Sequence, residues 1–496
     1  MTFEIAFVLL SLLGMVIALI LDKMRPGMIL FSVVVLFLCA GILTPKEMLE
    51  GFSNKGMITV ALLFLVSEGI RQSGALGQVV KKLLPQKRTT VFRAQLRLLP
   101  AVAFISAFLN NTPVVVIFAP IIKRWARTVH FPATKFLIPL SYVTILGGIC
   151  TLIGTSTNLV VHGMILEAGF EGFSMFELGK VGIFIAIAGI IYIFLFSKRL
   201  LPDARPDTAV PDEEVEEGEK LHRVEAVLGA RFPGINKKLK DFNFQRHYGA
   251  EVKEIKTRNG QRFVTNLDDV VLHEGDTLVV MADDTFIPTW GESSVFVLLT
   301  NGNEPDTTGK KKRWFALLLL VLMIVGATVG ELPVTKEMFP DIKLDMFFFV
   351  SITTIIMAWT NLFPARKYTK YISWDILITI ACAFAISKAM VNSGVADSVA
   401  KFIIGLSDDY GPHVLLAMVF IITNLFTELI TNNAAAALAF PLALSISAQL
   451  GVSPTPFFVV ICMAASASFS TPIGYQTNLI VQGIGNYKFT DFVRIG

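Results

Sequence analysis

Two long apolar stretches of this chain are interrupted in the middle by bare amides. Leu109-Asn110-Asn111-Thr112-Pro113 breaks one, and Ile430-Thr431-Asn432-Asn433-Ala434 breaks the other. About 40 residues further on, each is followed by a second interrupted run. These carry Thr151-Leu152-Ile153-Gly154-Thr155-Ser156-Thr157-Asn158 and Thr471-Pro472-Ile473-Gly474-Tyr475-Gln476-Thr477-Asn478. Hydrocarbon satisfies neither amides nor hydroxyls, so polar residues at such depth line a cavity or a pathway. Two such pairs in one chain point to a transporter built from a duplicated half.

Apolar spans run near 3–21, 28–44, 57–72, 95–125, 136–168 and 180–197, and again near 314–330, 345–362, 374–390, 412–448 and 457–484. The chain is 53% hydrophobic and only 17% charged, with a mean hydropathy of +0.64. An average soluble domain carries roughly 25% charged residues. The first span lacks a basic leader and is long enough to cross, so it reads as a transmembrane helix. Within 95–125, Asn110 lies roughly 11 residues beyond Leu99, or about 16 Å at ~1.5 Å per residue, near the middle of a ~30 Å core. Pro113 removes a backbone donor there. A re-entrant hairpin fits this run, whereas 136–168 and 457–484 read as crossing helices unwound at Gly154 and Gly474. Lysines and arginines cluster in the connection Lys81 to Arg93, at Lys198-Arg199, at Lys310 to Arg313 and at Arg366, Lys367 and Lys370. The positive-inside bias therefore places the polar block between the halves in the cytoplasm and the N-terminus outside.

The halves align on themselves. Ser73-Gly74 matches Ser393-Gly394 at an offset of 320, Asn111 matches Asn432 and Pro120 matches Pro441 at 321, and Gly154 and Asn158 match Gly474 and Asn478 at 320. One single-residue shift opens and closes inside the repeat. The repeats cover about 57–168 and 374–484, and their separation by one polar block suits opposite orientations in the membrane. The expected fold is an all-α polytopic membrane protein. It has two inverted repeats with re-entrant hairpins and unwound helices, plus a small inserted α+β cytosolic domain. Its parts are a membrane half over 1–200, an acidic linker over 201–220, the inserted domain over 221–303 and a second membrane half over 310–496.

These motifs suit ions. A hard cation such as Na⁺ wants oxygen ligands, which Asn side chains and carbonyls freed at a helix break supply without charge. Helix N-termini at hairpin tips offer N–H groups and positive dipole ends to an anion. No arginine or lysine adjoins the motifs in sequence, so co-bound cations must offset the anion's charge.

The same residues resemble the divalent anion:sodium symporter (DASS) family. Its Ser-Asn-Thr signature at each hairpin tip corresponds to Asn110-Asn111-Thr112 and Thr431-Asn432-Asn433. Its Gly-Gly-x-x-Thr-Leu-x-Gly-Thr feature corresponds to Gly147 through Thr155. The resemblance spans nearly the whole membrane part. It implies one Na⁺ site at Asn110, Asn111 and Gly154 and a twin at Thr431, Asn432 and Gly474. The small anion substrate is expected near Asn111, Thr112, Thr155, Asn432, Asn433 and Thr471. Asn110 replaces the usual serine and Asn433 the usual threonine, while Tyr475 and Gln476 enlarge the second loop. The Cys150-containing motif is most similar to the sulfate-permease branch, so sulfate is the expected substrate, with a dicarboxylate as the alternative and Na⁺ (or H⁺) as coupling ion. No other cofactor is expected.

The polar block reads as an acidic linker, Pro202 to Lys220, followed by a folded module. Strands are expected at Leu221 to Leu228, in a hairpin from Ala250 to Val264 around Asn259-Gly260 and at Leu272 to Val280, with a helix from Gly234 to Phe242. The closing Gly275-Asp276-Thr277-Leu278 resembles the RCK C-terminal (TrkA-C) domain, which implies regulation, a nucleotide-type ligand and dimerisation. A homodimer embedded in membrane lipid is the expected assembly. The net charge of +4 gives no reason to expect nucleic acid. No phosphate-binding loop supports ATP-driven pumping, no Thr-Val-Gly-Tyr-Gly filter supports a potassium channel, and no catalytic constellation supports an enzyme. A cation/proton antiporter or arsenite-type permease of the same superfamily remains the runner-up, with Glu68 and Glu428 as the carboxylates it would use. The four cysteines and six histidines are scattered and form no disulfide framework or metal cluster in sequence.

Overall fold

The computed structural model describes residues 3–21, 23–85, 89–203, 222–229, 231–257, 261–283, 286, 290, 295–300, 309–405 and 411–496. The acidic linker, apart from residues 202–203, and the Asn259-Gly260 turn lie outside the described residues. The membrane part opens with α1 (Phe3–Leu21) and α2 (Pro26–Cys39), the latter started by proline at its first turn. A short helix, Pro45–Glu50, begins on a reciprocal cap between Thr44 and Glu47. Then come α3 (Lys55–Gln72), α4 (Val91–Ser106), α5 (Asn111–Thr128), α6 (Leu137–Gly148), α7 (Ser156–Glu167) and α8 (Gly179–Leu200). After the inserted domain follow α9 (Lys310–Gly330), α10 (Met346–Trp359), α11 (Trp374–Asn392), α12 (Pro412–Leu429), α13 (Asn432–Leu450), α14 (Thr455–Ser466) and α15 (Gln476–Gly485). Among the described residues, seven helices are long and apolar enough to cross a membrane.

The second half repeats the element order of the first. The pairs α4/α5 and α12/α13 are helical hairpins, and α6/α7 and α14/α15 are helices interrupted over 149–155 and 467–475. The break in the first hairpin falls at 107–110, ahead of Pro113. That proline sits in the first turn of α5, where its missing N–H leaves no helical bond unmade. Asparagine amides bridge both interruptions. Asn158 Nδ2 donates to the carbonyls of Gly148 (3.3 Å) and Thr151 (2.8 Å), and Asn478 Nδ2 to those of Ser468 (2.9 Å) and Thr471 (3.2 Å). Main-chain oxygens freed by unwinding are thereby satisfied away from lipid. Each hairpin packs across to the other half, α5 on α15 and α13 on α7.

The outer faces carry large apolar side chains that a water-facing protein would bury. Along α8, Ile183, Phe184, Ile187, Ile191 and Leu195 are all exposed, as are Phe104 and Trp359 elsewhere. With the spanning helices, this defines a multi-pass membrane protein.

The inserted domain is a five-stranded antiparallel sheet in the order β3-β2-β4-β1-β5. Its strands are β1 (His222–Leu228), β2 (Glu251–Lys256), β3 (Arg262–Phe263), β4 (Thr277–Ala282) and β5 (Phe296–Thr300). Its core holds Leu228, Phe232, Tyr248, Ile255 and Leu278. The helix expected over Gly234 to Phe242 is absent: that stretch is turns and one 3₁₀ turn, Leu239–Asp241. Its backbone pairs instead with the strand-like segment ahead of β4. Asn236 N donates to Leu272 O (2.7 Å), Leu272 N to Lys237 O (3.0 Å) and Leu239 N to Val270 O (3.0 Å). Long-range pairing overrides the local helical spacing. The helix forms later, at Phe244–Tyr248, where Asn243 caps it. The strand expected from Leu272 starts only at Thr277, after a turn that places Gly275 at φ +84°.

The domain rests on the membrane part at two of the site-bearing helices. Lys123 of α5 pairs with Glu225 of β1 at 3.1 Å, both side chains largely buried. Gly483 of α15 lies against Thr277, where an added Cβ would meet Oγ1 at 2.5 Å.

Candidate functional site

Four helix N-termini meet where the hairpin tips face the interrupted helices. They begin at Asn111, Asn432, Ser156 and Gln476, and none has a side-chain cap. The first-turn N–H groups that a serine or aspartate would normally occupy remain available to a ligand, and the four positive dipole ends add.

The tips bind across the halves in matched pairs. Thr112 Oγ1 donates to Gln476 Oε1 at 3.2 Å, and Ser156 Oγ donates to Asn433 Oδ1 at 3.4 Å. Thr112 and Asn433 are equivalent at offset 321, and Ser156 and Gln476 at 320. Thr157 Oγ1 adds a bond to Asn433 at 3.2 Å. Each hairpin tip is thus held by the other half's helix break.

Asn111 is fully buried. Its Oδ1 accepts from Ser106 Oγ at 2.8 Å, and its Nδ2 lies 2.6 Å from the Tyr475 hydroxyl. The same Oδ1 lies 2.9 Å from Thr144 O and 3.3 Å from Gly154 O. Oxygens this close without a proton between them repel, so the amide is satisfied in the opposite orientation. Turned over, the amide would donate its nitrogen to those oxygens and accept from Tyr475. Asn432 repeats the arrangement. Its Oδ1 lies 2.7 Å from Thr427 Oγ1, 2.9 Å from Gly474 O and 3.3 Å from Ala465 O. Ser106 and Thr427, and Thr144 and Ala465, are equivalent at offset 321. Around each Asn amide the surrounding atoms are neutral oxygens, the donor type a monovalent hard cation prefers.

The remaining expected residues divide. Asn110 lines a small pocket with Ser67, Phe108, Ile153 and Ser156, beside the first cage rather than in it. Thr431 buries a hydroxyl that has no hydrogen-bond partner among the described residues. Thr155 Oγ1 lies 3.0 Å from the Tyr475 hydroxyl. Thr471 ties its loop to the end of the second hairpin's first helix, its hydroxyl donating to Glu428 O at 3.3 Å. Its counterpart Thr151 makes the same staple to Ala107 O. Glycine is required at both breaks because a Cβ on Gly154 would lie 2.5 Å from Gly148 O, and one on Gly474 2.6 Å from Thr427 O.

Glu428 closes the second break. Its carboxylate accepts from the backbone N–H groups of Phe469 (2.9 Å), Ser470 (2.9 Å) and Thr471 (3.0 Å) and from Ser468 Oγ (3.3 Å). Glu68 is engaged by Arg71 at 2.6 and 2.7 Å and by Gln72 at 2.6 Å.

Ser106 and Thr427 contact the central Asn residues and are absent from the motifs, and Tyr475 stands in the motif only for its bulk. The first two carried a signal, since both are hydroxyls five residues before the central Asn and match at the repeat offset. Tyr475 carried none, because its counterpart is Thr155 and its reach across the halves exists only in the folded chain.

A mostly helical membrane body with twin broken helices and paired oxygen cages defines a secondary transporter, not an enzyme. The citrate transporter (CitMHS) family model matches residues 16–446 and 338–495. The chain belongs to this family, within the divalent anion:sodium symporter group of transporters. An uncharacterized transporter of Synechocystis sp. is 30% identical, over 94% of this chain and 89% of that protein. A probable sodium/sulfate cotransporter of Chlamydomonas reinhardtii is 23% identical, over 92% of this chain and 82% of its own. A sodium-dependent dicarboxylate transporter of Staphylococcus saprophyticus is 26% identical, over 26% of this chain and 25% of its own.

Proposed function

We propose that this protein imports a small divalent anion, sulfate first, together with Na⁺. The observation that carries the reading is the pair of neutral oxygen cages around Asn111 and Asn432. Each is formed where a hairpin tip meets a helix break, and each faces the same cluster of uncapped helix N-termini. Cations in the cages and the four dipole ends together would hold a dianion with no arginine or lysine. Emptying the cages leaves the anion site electrostatically poor, which is the physical basis of coupling. Asn111, Ser106 and Gly154 form the first cation site, with Asn110 beside it, and Asn432, Thr427 and Gly474 form the second, with Thr431 at its edge. The anion lies between Thr112, Thr155 and Asn433. Thr471 acts as a staple of the loop and not as an anion contact.

Sulfate is favoured over a dicarboxylate because Tyr475 fills space between the tips that its counterpart Thr155 leaves open, and because the names of several relatives specify sodium and sulfate. The antiporter alternative loses support from Glu428, whose carboxylate is committed to three backbone N–H groups and one hydroxyl. Alternating access is of the elevator type, the hairpins and broken helices moving as one unit against the rest. The inserted domain lies in the cytoplasm, as the flanking lysines argue, and takes a nucleotide-type ligand. The working assembly is a homodimer.

The test is radiolabelled sulfate uptake into proteoliposomes, with and without a Na⁺ gradient and with succinate as competitor. Sodium-dependent, succinate-insensitive uptake is expected. Asn111→Ala and Asn432→Ala should each abolish it while the protein remains folded. Uptake that ignores sodium, or that only succinate supports, rejects the reading.

A further inference from the structure

We infer that the Tyr475 hydroxyl is the relay joining the two cation cages to each other and to the anion. The inference rests on the cation reading of the cages given above. Tyr475 begins α15 in extended backbone and is buried, and its ring spans from the second half to the first hairpin tip. Its oxygen lies 2.6 Å from the Asn111 amide and 3.0 Å from Thr155 Oγ1, and Asn432 is a third polar neighbour. It is thus shared by the central Asn of both motifs. The repeat does not demand this, since the equivalent residue Thr155 is too short to reach across.

A phenol has one proton to donate and two lone pairs to accept with. When a cation holds the Asn111 oxygen inward, the amide nitrogen faces Tyr475 and donates to it. When the cage is empty, the amide turns its nitrogen to Ser106, Thr144 and Gly154, and its oxygen takes the Tyr475 proton. Asn432 obeys the same rule in its own cage. With both cages filled, both amides donate into the two lone pairs, and the hydroxyl proton is left for Thr155 or for an anion beside it. With both cages empty, two amide oxygens compete for one proton, and no donor remains for the anion. With one cage filled, the hydroxyl accepts from that amide and donates to the other, so only filling both frees the proton and creates the donor the anion needs. The relay is a positioning device: it sets hydrogen-bond polarity and adds no ligand to either cation.

Tyr475→Phe removes only the hydroxyl and keeps the ring that packs between the tips. Purified wild-type and Tyr475→Phe proteins are compared first by thermal unfolding against Na⁺ alone, with no anion present. Both should be stabilised by Na⁺, because the hydroxyl is a ligand of neither cation. The second comparison is radiolabelled sulfate uptake in saturating Na⁺, where the variant's KM should rise roughly 10- to 100-fold, the worth of one hydrogen bond to a charged ligand. A Tyr475→Phe protein that Na⁺ no longer stabilises, or one with an unchanged sulfate KM, overturns the relay. A wild type that Na⁺ does not stabilise at all overturns the sodium reading itself, a separate result from the first. The anion-free arm stands whatever anion is carried.

Discussion

Replacing Gly154 with alanine tests the first cation cage at its most sensitive point. The new methyl would lie 2.5 Å from Gly148 O, 2.7 Å from Gly148 Cα and 2.9 Å from Gly148 C. All three are backbone atoms that no rotamer change can move aside. Reaching ordinary contact, about 3.4 Å, requires the loop to move by roughly 0.9 Å, and overpacking of this kind costs roughly 1–3 kcal/mol. Binding constellations tolerate displacements of about 0.5 Å, and a 1 Å misplacement costs on the order of a hundredfold. Gly154 O is one of the four oxygens of the cage, so the loss should fall on Na⁺ affinity first. The assay is the Na⁺ concentration giving half-maximal thermal stabilisation, with sulfate uptake as a second readout. We expect that concentration to rise by one to two orders of magnitude in Gly154→Ala. Gly405→Ala, at a helix end with nothing among the described residues within 4 Å of the new methyl, should leave it unchanged. A Gly154→Ala protein that folds and keeps wild-type Na⁺ dependence would refute the placement of the cage.

Other outcomes follow from neighbouring contacts. Glu428→Gln should lose two of the carboxylate's four acceptor bonds, each worth roughly 1.5–3 kcal/mol to a charged group, lowering stability and uptake together. The pH profile of uptake should keep its shape, and a variant that is fully stable with a flattened profile would make Glu428 a proton carrier after all. Glu225→Gln leaves Lys123 with a weakened counter-charge and should cost roughly 1–3 kcal/mol, less than a fully buried pair because both side chains retain some exposure. A double-mutant cycle with Lys123→Met measures it, and a coupling below about 0.3 kcal/mol would show that the pair does not hold the inserted domain to α5.

How much was legible depends on how local the cause was. The hairpin tips were plain from Asn110-Asn111-Thr112 and Thr431-Asn432-Asn433, because an amide in an apolar run has few physical explanations. The interruptions at Gly154 and Gly474 were equally plain, since glycine there answers a close backbone approach. The module helix over 234–242 was misread because its apolar spacing is helical. The neighbouring 270–272 segment claims its backbone hydrogen bonds, which no window of sequence contains. The contact of the Thr471 hydroxyl with the Glu428 carbonyl was invisible for a similar reason, since the two lie 43 residues apart.

The sequence by itself determined a membrane body, two equivalent halves and the depth at which their polar residues sit. Hydropathy and periodicity act along the chain, and burying an amide in lipid is costly whatever lies nearby. Only the tertiary structure decided which residue of one half touches which of the other. Tyr475 meets Asn111 across 364 positions, and Thr112 meets Gln476 across the same interval. Glu428, five residues from Asn433 in sequence, turns instead to the backbone of the next break, 41 to 43 residues on. Such choices are set by the packing of helices whose relative placement no local propensity encodes.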